Sequence, residues 1–400
     1  MDSSLNNNSR SIQRAKKEYN NIRENEAFNK TYYNRSDGLA APPHTICLSV
    51  NSNCFMKCKM CDIGTANSRQ NNSFDSNFFS FKYAKTEKYK ETSLCHLKAI
   101  IDEVAPSNPI IKTNFVEPLL YGNLRELAEY IKRKKLKYYT ITNGWTLKKH
   151  AHWLAEFCDL VRVSLDGIEE VHDTIRGKKG AYSHAMEGLK ELIQEKHRKG
   201  SETPIVGVCY TISNYNYFNL YGFMEALDRE NLLDDIYINF NHLLYTTQWE
   251  IDETIKCSTL FTELKCSSLD KVALKKINID KLKREIEKLY VGFPKERYHY
   301  YFSPWLELDD IQPYYDPDIR MFAGTPCYLP WYSAQLDMDG NVNIYGHCIL
   351  PNFGNAFKDG FFNAWNSPFA RQSRLSLKSV GSFPGCNKCI GTLYPLRGRE

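Results

Sequence analysis

The sequence predicts an α/β fold built on a mostly parallel sheet. Six short runs of apolar or β-branched residues follow one another between residues 45 and 240. Stretches with apolar residues at helical spacing, such as residues 124–133 and 182–196, lie between them. Strands that alternate with helices pair in parallel through right-handed crossovers. The composition, 42% hydrophobic and 25% charged, is typical of a globular protein.

Three cysteines, Cys54, Cys58 and Cys61, follow the first apolar run at residues 45–50. Their C-x3-C-x2-C spacing places three thiolates on one short loop, which can hold three irons of a cubane cluster and leave the fourth iron open. A cluster held by four cysteines mainly moves electrons, whereas an open iron can also bind and cleave a ligand. This loop therefore indicates a reactive iron–sulfur site.

Zinc and ordinary core packing are the alternatives for these cysteines. Structural zinc usually takes four ligands from C-x2-C pairs or histidines, and the nearest downstream histidine is His96. The odd number of cysteines argues against disulfides, and the first residues are polar without an apolar signal segment. We therefore expect reduced thiols and a cytoplasmic location.

Further motifs stand at the ends of the later runs. They are Phe115-Val116-Glu117-Pro118, Asn143-Gly144, Ser164-Leu165-Asp166-Gly167, Arg176 in the run that follows, and Asn214. Each alone is typical of an ordinary strand end. Catalytic groups of parallel barrels gather at the carboxyl ends of the strands, so their common position is informative.

Together with the cysteine loop, this order of motifs resembles the radical S-adenosylmethionine superfamily from Cys54 to residue 240. The resemblance implies a partial (β/α)6 barrel with parallel strands. It also implies a 4Fe-4S cluster on Cys54, Cys58 and Cys61 that binds S-adenosylmethionine at its open iron. Met60 stands where the family usually has an aromatic residue, and we expect it to pack beside the adenine.

The resemblance further implies cofactor contacts at Glu117, Ser164, Asp166, Arg176 and Asn214. Glu117 and the carbonyls before it would meet the amino group, and the serine and aspartate would meet the ribose and methionyl parts. Arg176 would take the methionyl carboxylate, because its fork can bind both oxygens. Phe115 and Val116 replace two glycines of the family motif, which makes close approach of the backbone harder.

Four more cysteines, Cys327, Cys348, Cys386 and Cys389, lie toward the C-terminal end, and Asp339-Gly340 predicts a hairpin turn among them. This region resembles the twitch domain, a short relative of the SPASM domain that holds one auxiliary 4Fe-4S cluster. The family pattern places a cysteine where this chain has Tyr345, so we expect Cys348 to be the ligand. Zinc remains the alternative, because it uses the same ligands.

These features divide the chain into four predicted parts. Residues 1–43 form a polar extension, residues 44–245 the barrel, residues 246–322 a helical insert or linker, and residues 323–400 the auxiliary-cluster domain. Cys209, Cys257 and Cys266 are candidates for a thiol that returns a hydrogen atom to a substrate. No catalytic base is assigned from the sequence.

The resemblance implies an enzyme that reductively cleaves S-adenosylmethionine to a 5′-deoxyadenosyl radical, which abstracts a hydrogen atom from a substrate. We expect a small polar substrate, such as a sugar, aminocyclitol or nucleotide-sugar, that is oxidised or epimerised with the auxiliary cluster as electron acceptor. The 43 residues before the barrel are short for a leader-peptide-binding domain, so peptide modification is the first alternative. A non-catalytic electron-transfer protein is the alternative from another class.

The expected partners are a substrate and an electron donor such as flavodoxin or ferredoxin. The net charge of +5 is small for a chain of this size and gives no reason to expect nucleic acid. No stretch approaches 18 consecutive apolar residues, so we expect no membrane span.

Overall fold

The computed structural model describes residues 31–68, 89–261, 264, 274–321, 326–344 and 348–389. Within these residues ten strands form one sheet, in the order β10-β9-β8-β1-β2-β3-β4-β5-β6-β7. They are β1 Thr45–Leu48, β2 Ile110–Thr113, β3 Tyr138–Thr142, β4 Leu160–Ser164, β5 Ile205–Ile212, β6 Ile236–His242, β7 Tyr300–Ser303, β8 Ser333–Leu336, β9 Asn341–Ile344 and β10 Gly354–Asn355. The predicted α/β class with a mostly parallel sheet is confirmed.

The described α-helices connect and cover these strands. They are α1 Asp62–Ser68, α2 Leu94–Val104, α3 Leu124–Arg133, α4 Leu147–Phe157, α5 Glu169–Arg176, α6 Ala181–Arg198, α7 Leu220–Arg229, α8 Gln248–Cys257, α9 Ile279–Gly292, α10 Ile311–Tyr315, α11 Ala356–Asp359, α12 Phe361–Trp365 and α13 Pro368–Val380. None of the helices in the described residues is long and apolar enough to cross a membrane.

Four strands extend the sheet beyond the six predicted for the barrel. Strand β7 pairs in parallel with β6, so the segment 246–322, expected to be helical, contributes a seventh parallel strand. Its sequence, Tyr300-Tyr-Phe-Ser303, is aromatic, and aromatic residues favour strands. At the opposite edge β8 pairs in parallel with β1, and β9 and β10 continue antiparallel. The C-terminal hairpin therefore extends the barrel sheet.

The two faces of the sheet differ in burial. Along β4, Val161 and Val163 are fully buried beneath the helices, whereas Arg162 and Ser164 on the other face keep partial exposure. The same alternation of buried and partly exposed residues runs along β2, β3 and the end of β5. We call the second face, opposite the helices, the inner face. It carries Lys112, Tyr139, Arg162, Ser164, Cys209, Tyr237, Asn239 and Tyr301, which the strand register places in three neighbouring rows.

A buried arginine fastens the C-terminal helices to the start of the barrel. Arg374 of α13 donates from Nε to Pro330 O at 2.8 Å and from Nη2 to Trp365 O at 2.8 Å. The indole of Trp365 in turn donates to Ala41 O at 2.8 Å, just before β1. The guanidinium thus replaces several lost water contacts with backbone carbonyls, which is required of a buried charge. This packing fixes the C-terminal region against β1.

Candidate active site

The cysteine loop lies at the carboxyl end of β1 and is held by backbone contacts. Lys57 N donates to Arg176 O at 3.0 Å, and Lys59 N donates to Ile175 O at 2.9 Å. From the other side, the Asn67 amide donates to Cys54 O at 2.6 Å and to Met56 O at 2.9 Å. The end of α5 and the end of α1 therefore fix the loop between them.

Gly64 in α1 permits the close approach of this helix to the loop. A Cβ atom at residue 64 would lie 2.3 Å from both the N and the O of Cys58, a distance that backbone atoms cannot tolerate. The start of α1, between Cys61 and residue 67, therefore helps to fix the position of Cys58.

The three cysteines of the loop lie in one cluster. Cys54, Cys58 and Cys61 pack around Met56, and the thiols are near enough for their charges to interact. Burial raises the pKa of the Cys54 and Cys58 thiols, so these two stay protonated at neutral pH unless a cation is bound. Metal binding to such thiols releases protons and is coupled to the pKa.

The chemistry of this donor set fits an iron–sulfur cluster. In the described residues no group of three or more Cys, His, Asp or Glu side chains converges closely enough to hold one metal ion. A single zinc ion needs its ligands around one centre. In a cubane cluster each thiolate binds a different iron, so the thiols need to share a region and not a point. Cys54, Cys58 and Cys61 meet that condition.

Arg176 and Asp166 form a buried ion pair beside the loop. Arg176 Nη2 lies 2.6 Å from Asp166 Oδ2, and its Nη1 donates to Cys58 Sγ at 3.7 Å. Asp166 Oδ1 accepts from Thr211 N at 2.8 Å, which links the end of β4 to β5. Desolvation raises the pKa of Asp166, although Arg176 acts against this shift. The sequence placed both residues at a cofactor, and the structure brings them to the second cysteine.

Glu117 is buried and supports the turn after β2. Its Oε1 accepts from Leu119 N at 3.1 Å and from Thr142 Oγ1 at 2.7 Å, and its Oε2 accepts from Asn143 N at 2.7 Å. Desolvation raises the pKa of this carboxyl to about 7 despite these donors. Because the carboxylate already has three partners, its direct contact with an ammonium group stays a prediction.

Val116 adopts a backbone conformation that glycine tolerates better than valine. Its φ is +61°, in the left-handed region that a β-branched residue rarely adopts. This is one of the two positions where the family motif has glycine. A valine is strained in this conformation.

The other predicted contact residues lie near the strand ends. Ser164 is half-buried on the inner face, and Met60 is half-buried and packs against the core beside the loop. Asn214 is half-buried in the turn after β5. Its neighbour Asn216, which sequence reasoning missed, is fully buried and donates to Asp166 O and Thr211 O at 2.9 Å each.

Two further residues that the motifs did not reveal orient this end of the sheet. The Asn51 amide donates to Glu117 O at 3.0 Å, and Asn53 O accepts from Glu117 N at 3.1 Å. His172 Nδ1 accepts from Asp166 N at 3.0 Å, and burial lowers the pKa of this imidazole well below its usual value. A polar residue directly before the cysteine loop is the signal that could have identified Asn51.

The structure also brings the four C-terminal cysteines together. Each of Cys327, Cys348 and Cys386 lies near enough to at least two others of the set for their charges to interact, and Cys389 is among the neighbours of all three. Burial raises the pKa of these three thiols well above the usual value. Tyr345 lies outside the described residues, as does Cys266. The placement of Cys348 fits its expected role as a ligand.

The two residues between Cys386 and Cys389 anchor this knuckle. Asn387 donates to Glu250 Oε1 at 2.7 Å, and Lys388 Nζ donates to Tyr245 Oη at 2.8 Å and to Pro313 O at 3.0 Å. Both side chains are buried, at 4% and 2% exposure. The C-x2-C loop is thus fixed to the segment between β6 and β8, which sequence spacing alone did not show.

A match to a family model agrees with this fold and this site. Residues 48–216 match the model of the Radical SAM superfamily, the segment that carries the cysteine loop and the strand-end motifs. Over this segment the chain is similar to the Radical SAM superfamily.

Curated relatives match part of the chain. The Fe-coproporphyrin III synthase of Methanosarcina barkeri is 34% identical over 151 residues, which is 37% of this chain and 35% of that protein. The antilisterial bacteriocin subtilosin biosynthesis protein AlbA of Bacillus subtilis is 31% identical over 80 residues, or 19% of this chain and 18% of that protein. The chain thus spans about a third or less of the curated relatives it matches.

A solved structure shares the fold over a longer stretch. The structure of anSMEcpe with bound AdoMet and the Cp18Cys peptide covers 83% of this chain and 82% of its own chain, with a TM-score of 0.53 and 16% identity. At this identity the likeness concerns the fold alone. It extends past the segment that the family model matches and into the C-terminal region.

Proposed function

We propose that this protein is an enzyme that binds a 4Fe-4S cluster at Cys54, Cys58 and Cys61 and cleaves S-adenosylmethionine reductively to modify a substrate. The observation that carries the proposal is the position of the loop. It is fixed at the carboxyl end of β1, against the buried Arg176–Asp166 pair that joins β4 to β5. The site and the inner face of the sheet therefore meet at one end.

When bound, the cluster and S-adenosylmethionine supply a 5′-deoxyadenosyl radical that takes a hydrogen atom from a substrate carbon. The chain's own residues position these groups. Cys54, Cys58 and Cys61 hold three irons, and the positive charge of Arg176 beside Cys58 favours its thiolate. Asp166 fixes Arg176 at 2.6 Å, so the orientation of the guanidinium is set before any ligand binds.

A second 4Fe-4S cluster is proposed at Cys327, Cys348, Cys386 and Cys389. Support comes from the gathering of these thiols in one partly buried region with an anchored knuckle. With four cysteine ligands, such a cluster serves electron transfer, so it would accept an electron from the substrate radical. Zinc offers the same ligand chemistry, and the two readings differ in iron content.

The proposed substrate is a small polar molecule that is oxidised or epimerised. The name of the Methanosarcina barkeri relative points to a small-molecule product, and that match covers more of this chain than the AlbA match does. AlbA is named for bacteriocin biosynthesis, which favours a peptide substrate as the second candidate. An electron donor such as flavodoxin or ferredoxin would reduce the cluster.

Anaerobically purified protein tests the proposal through iron, sulfide and 5′-deoxyadenosine. We expect about eight irons per chain, and about four in the variant with Cys54, Cys58 and Cys61 all changed to alanine. Only the parent should form the nucleoside when it is reduced. Cys95→Ala is the matched control, because Cys95 is exposed on α2 and should leave both readouts unchanged.

The same measurements separate the alternatives. Iron without nucleoside formation would indicate a non-catalytic electron-transfer protein, and about four irons with zinc would make the C-terminal site structural. The substrate class is tested by adding nucleotide-sugars, aminocyclitols or short peptides to the parent. Stimulation of nucleoside formation by peptides alone would overturn the small-molecule proposal.

A further inference from the structure

The inner face holds a cluster of charged and aromatic side chains away from the cysteines. Arg162 of β4 donates from Nε to Tyr237 Oη at 2.5 Å and from Nη2 to Tyr301 Oη at 3.2 Å. The Tyr237 and Tyr301 rings stack, with centroids 6.0 Å apart and planes 16° apart. We call these three residues the arginine–tyrosine cluster. They come from three strands, β4, β6 and β7, so no sequence motif joins them.

Gly207 of β5 makes this cluster possible. In the strand register it lies between Arg162 and Tyr237. A Cβ atom at residue 207 would lie 2.4 Å from the Tyr237 ring. The glycine therefore lets the tyrosine ring lie across β5 and reach the guanidinium. The arginine–tyrosine cluster therefore depends on the absence of a side chain at this position of β5.

No carboxylate in the described part of the chain forms an ion pair with the guanidinium of Arg162. Its hydrogen-bond partners are two phenols, and its electrostatic neighbours are Tyr237, Tyr301 and Cys209. An arginine this enclosed is usually paired with an acid. It nevertheless keeps partial exposure on the inner face. Lys112 adds a second cation to the same face.

The inner face also carries a buried acceptor atom that has no hydrogen-bond partner among the described residues. Asn239 is buried, and its Oδ1 has no hydrogen-bond partner, although its Nδ2 donates to Asn241 at 2.8 Å. Asn239 pairs in register with Tyr301 on one side and with Cys209 on the other. Buried polar atoms without partners are rare and costly, so this oxygen indicates a ligand with a donor group.

The strand register sets the depth of the cluster. Arg162 precedes Ser164 by two residues, and a strand rises about 3.3 Å per residue. The backbone of Arg162 therefore lies roughly 6–7 Å deeper than that of Ser164, the last residue of β4, and Asp166 follows two residues beyond it. A molecule bound to Arg162 would extend from this depth toward the cysteine loop.

We propose that Arg162, with Tyr237 and Tyr301, binds an anionic group of the substrate, either a carboxylate or a phosphate. The substrate also carries a hydroxyl or N–H donor that meets Asn239. This inference rests on the proposed function and names the chemical class of its substrate. The fork of an arginine suits both anions, because each offers two oxygens in a plane that matches its donors.

Binding of simple anions to the full chain tests the inference. The anaerobically reconstituted protein, saturated with S-adenosylmethionine, is titrated calorimetrically with inorganic phosphate, with benzoate and with benzamide, the neutral counterpart of benzoate. We expect one of the two anions to bind and benzamide not to bind. Arg162→Gln should weaken anion binding at least about tenfold, and Arg162→Lys less, because lysine keeps the charge but loses the fork.

Arg125→Gln is the matched control, since Arg125 is an exposed arginine on α3 and should leave the affinity unchanged. If Arg162→Gln fails to fold, Arg162→Lys and Tyr237→Phe decide, and unchanged affinity in both would overturn the inference. Absence of phosphate and benzoate binding to the parent would overturn it too. Phosphate binding without benzoate binding assigns the anion as a phosphate, and the reverse assigns a carboxylate.

Nucleoside formation by the parent, without any anion, separates the two proposals. If 5′-deoxyadenosine forms but anion binding does not depend on Arg162, only the inference fails. If no iron and no nucleoside are found while Arg162-dependent anion binding persists, the proposed function fails and the anion site stands.

Discussion

Replacing Val116 with glycine should stabilise the protein. Val116 has a φ of +61°, and a residue other than glycine in that region costs about 1–3 kcal/mol, with β-branched residues at the upper end. Two losses oppose the gain. Glycine adds about 0.5–1 kcal/mol of chain entropy in the unfolded state, and removing the half-buried side chain forfeits a further ~0.5–1 kcal/mol. The net stabilisation is therefore about 1 kcal/mol.

Urea unfolding followed by tryptophan fluorescence measures this difference. The expected result is a higher midpoint with an unchanged slope. Val291→Gly is the control, because Val291 is 85% exposed in α9, where replacing valine with glycine should destabilise by about 0.3–0.5 kcal/mol. A lower midpoint for Val116→Gly, comparable to that control, would show that the turn after β2 is not strained and would refute the reasoning.

Three further changes test the site and the core. Gly64→Ala places a methyl group against the Cys58 backbone and should lower the iron content at the loop to below half, measured by iron analysis. Cys348→Ala should reduce total iron from about eight to about four per chain while nucleoside formation without substrate persists. Burial lowers the pKa of His242 to about 3. Below pH 6.5 this histidine therefore takes up a proton in the unfolded chain but stays neutral in the folded chain. The free energy of unfolding falls as the pH drops from 6.5 toward 3, and the loss is about 2 kcal/mol at pH 5. His242→Gln should remove that part of the pH dependence in urea unfolding.

Two of these three variants have a matched control variant. Gly122→Ala controls for Gly64→Ala, because the nearest atom to a Cβ at residue 122 is a Glu91 side-chain oxygen 3.8 Å away. Cys257→Ala, at an exposed cysteine, controls for Cys348→Ala. Full iron content in Gly64→Ala, or equal acid loss in the parent and His242→Gln, would contradict the corresponding argument.

The strand-end motifs were readable from the sequence because they are local. The run from Cys54 to Cys61 and the residues Ser164 and Asp166 each follow a β-branched or apolar stretch, and parallel strands carry such ends to one edge. The fold class followed from the same alternation. Strand β7 was missed because its four residues lie in a segment whose clearest pattern is the amphipathic helix α9.

Long-range pairings account for most of what the sequence could not predict. Arg162 stands as one charge within an apolar strand, and its two phenol partners are 75 and 139 residues away. The anchoring of Asn387 to Glu250 spans 137 residues. Contacts of this kind depend on how strands and loops meet, and no spacing rule along the chain encodes them. The positive φ of Val116 is a different case, because the residue type argues against the conformation.

The pairing of β8 with β1 makes the C-terminal region a physical cover for the barrel. A shortened protein that ended before Ser333 would leave the backbone of β1 as a bare sheet edge. Such edges invite other chains to add as further strands. Deletion of the C-terminal region should therefore yield aggregated material and not a smaller working barrel, so the two cysteine sets have to be dissected by point substitution.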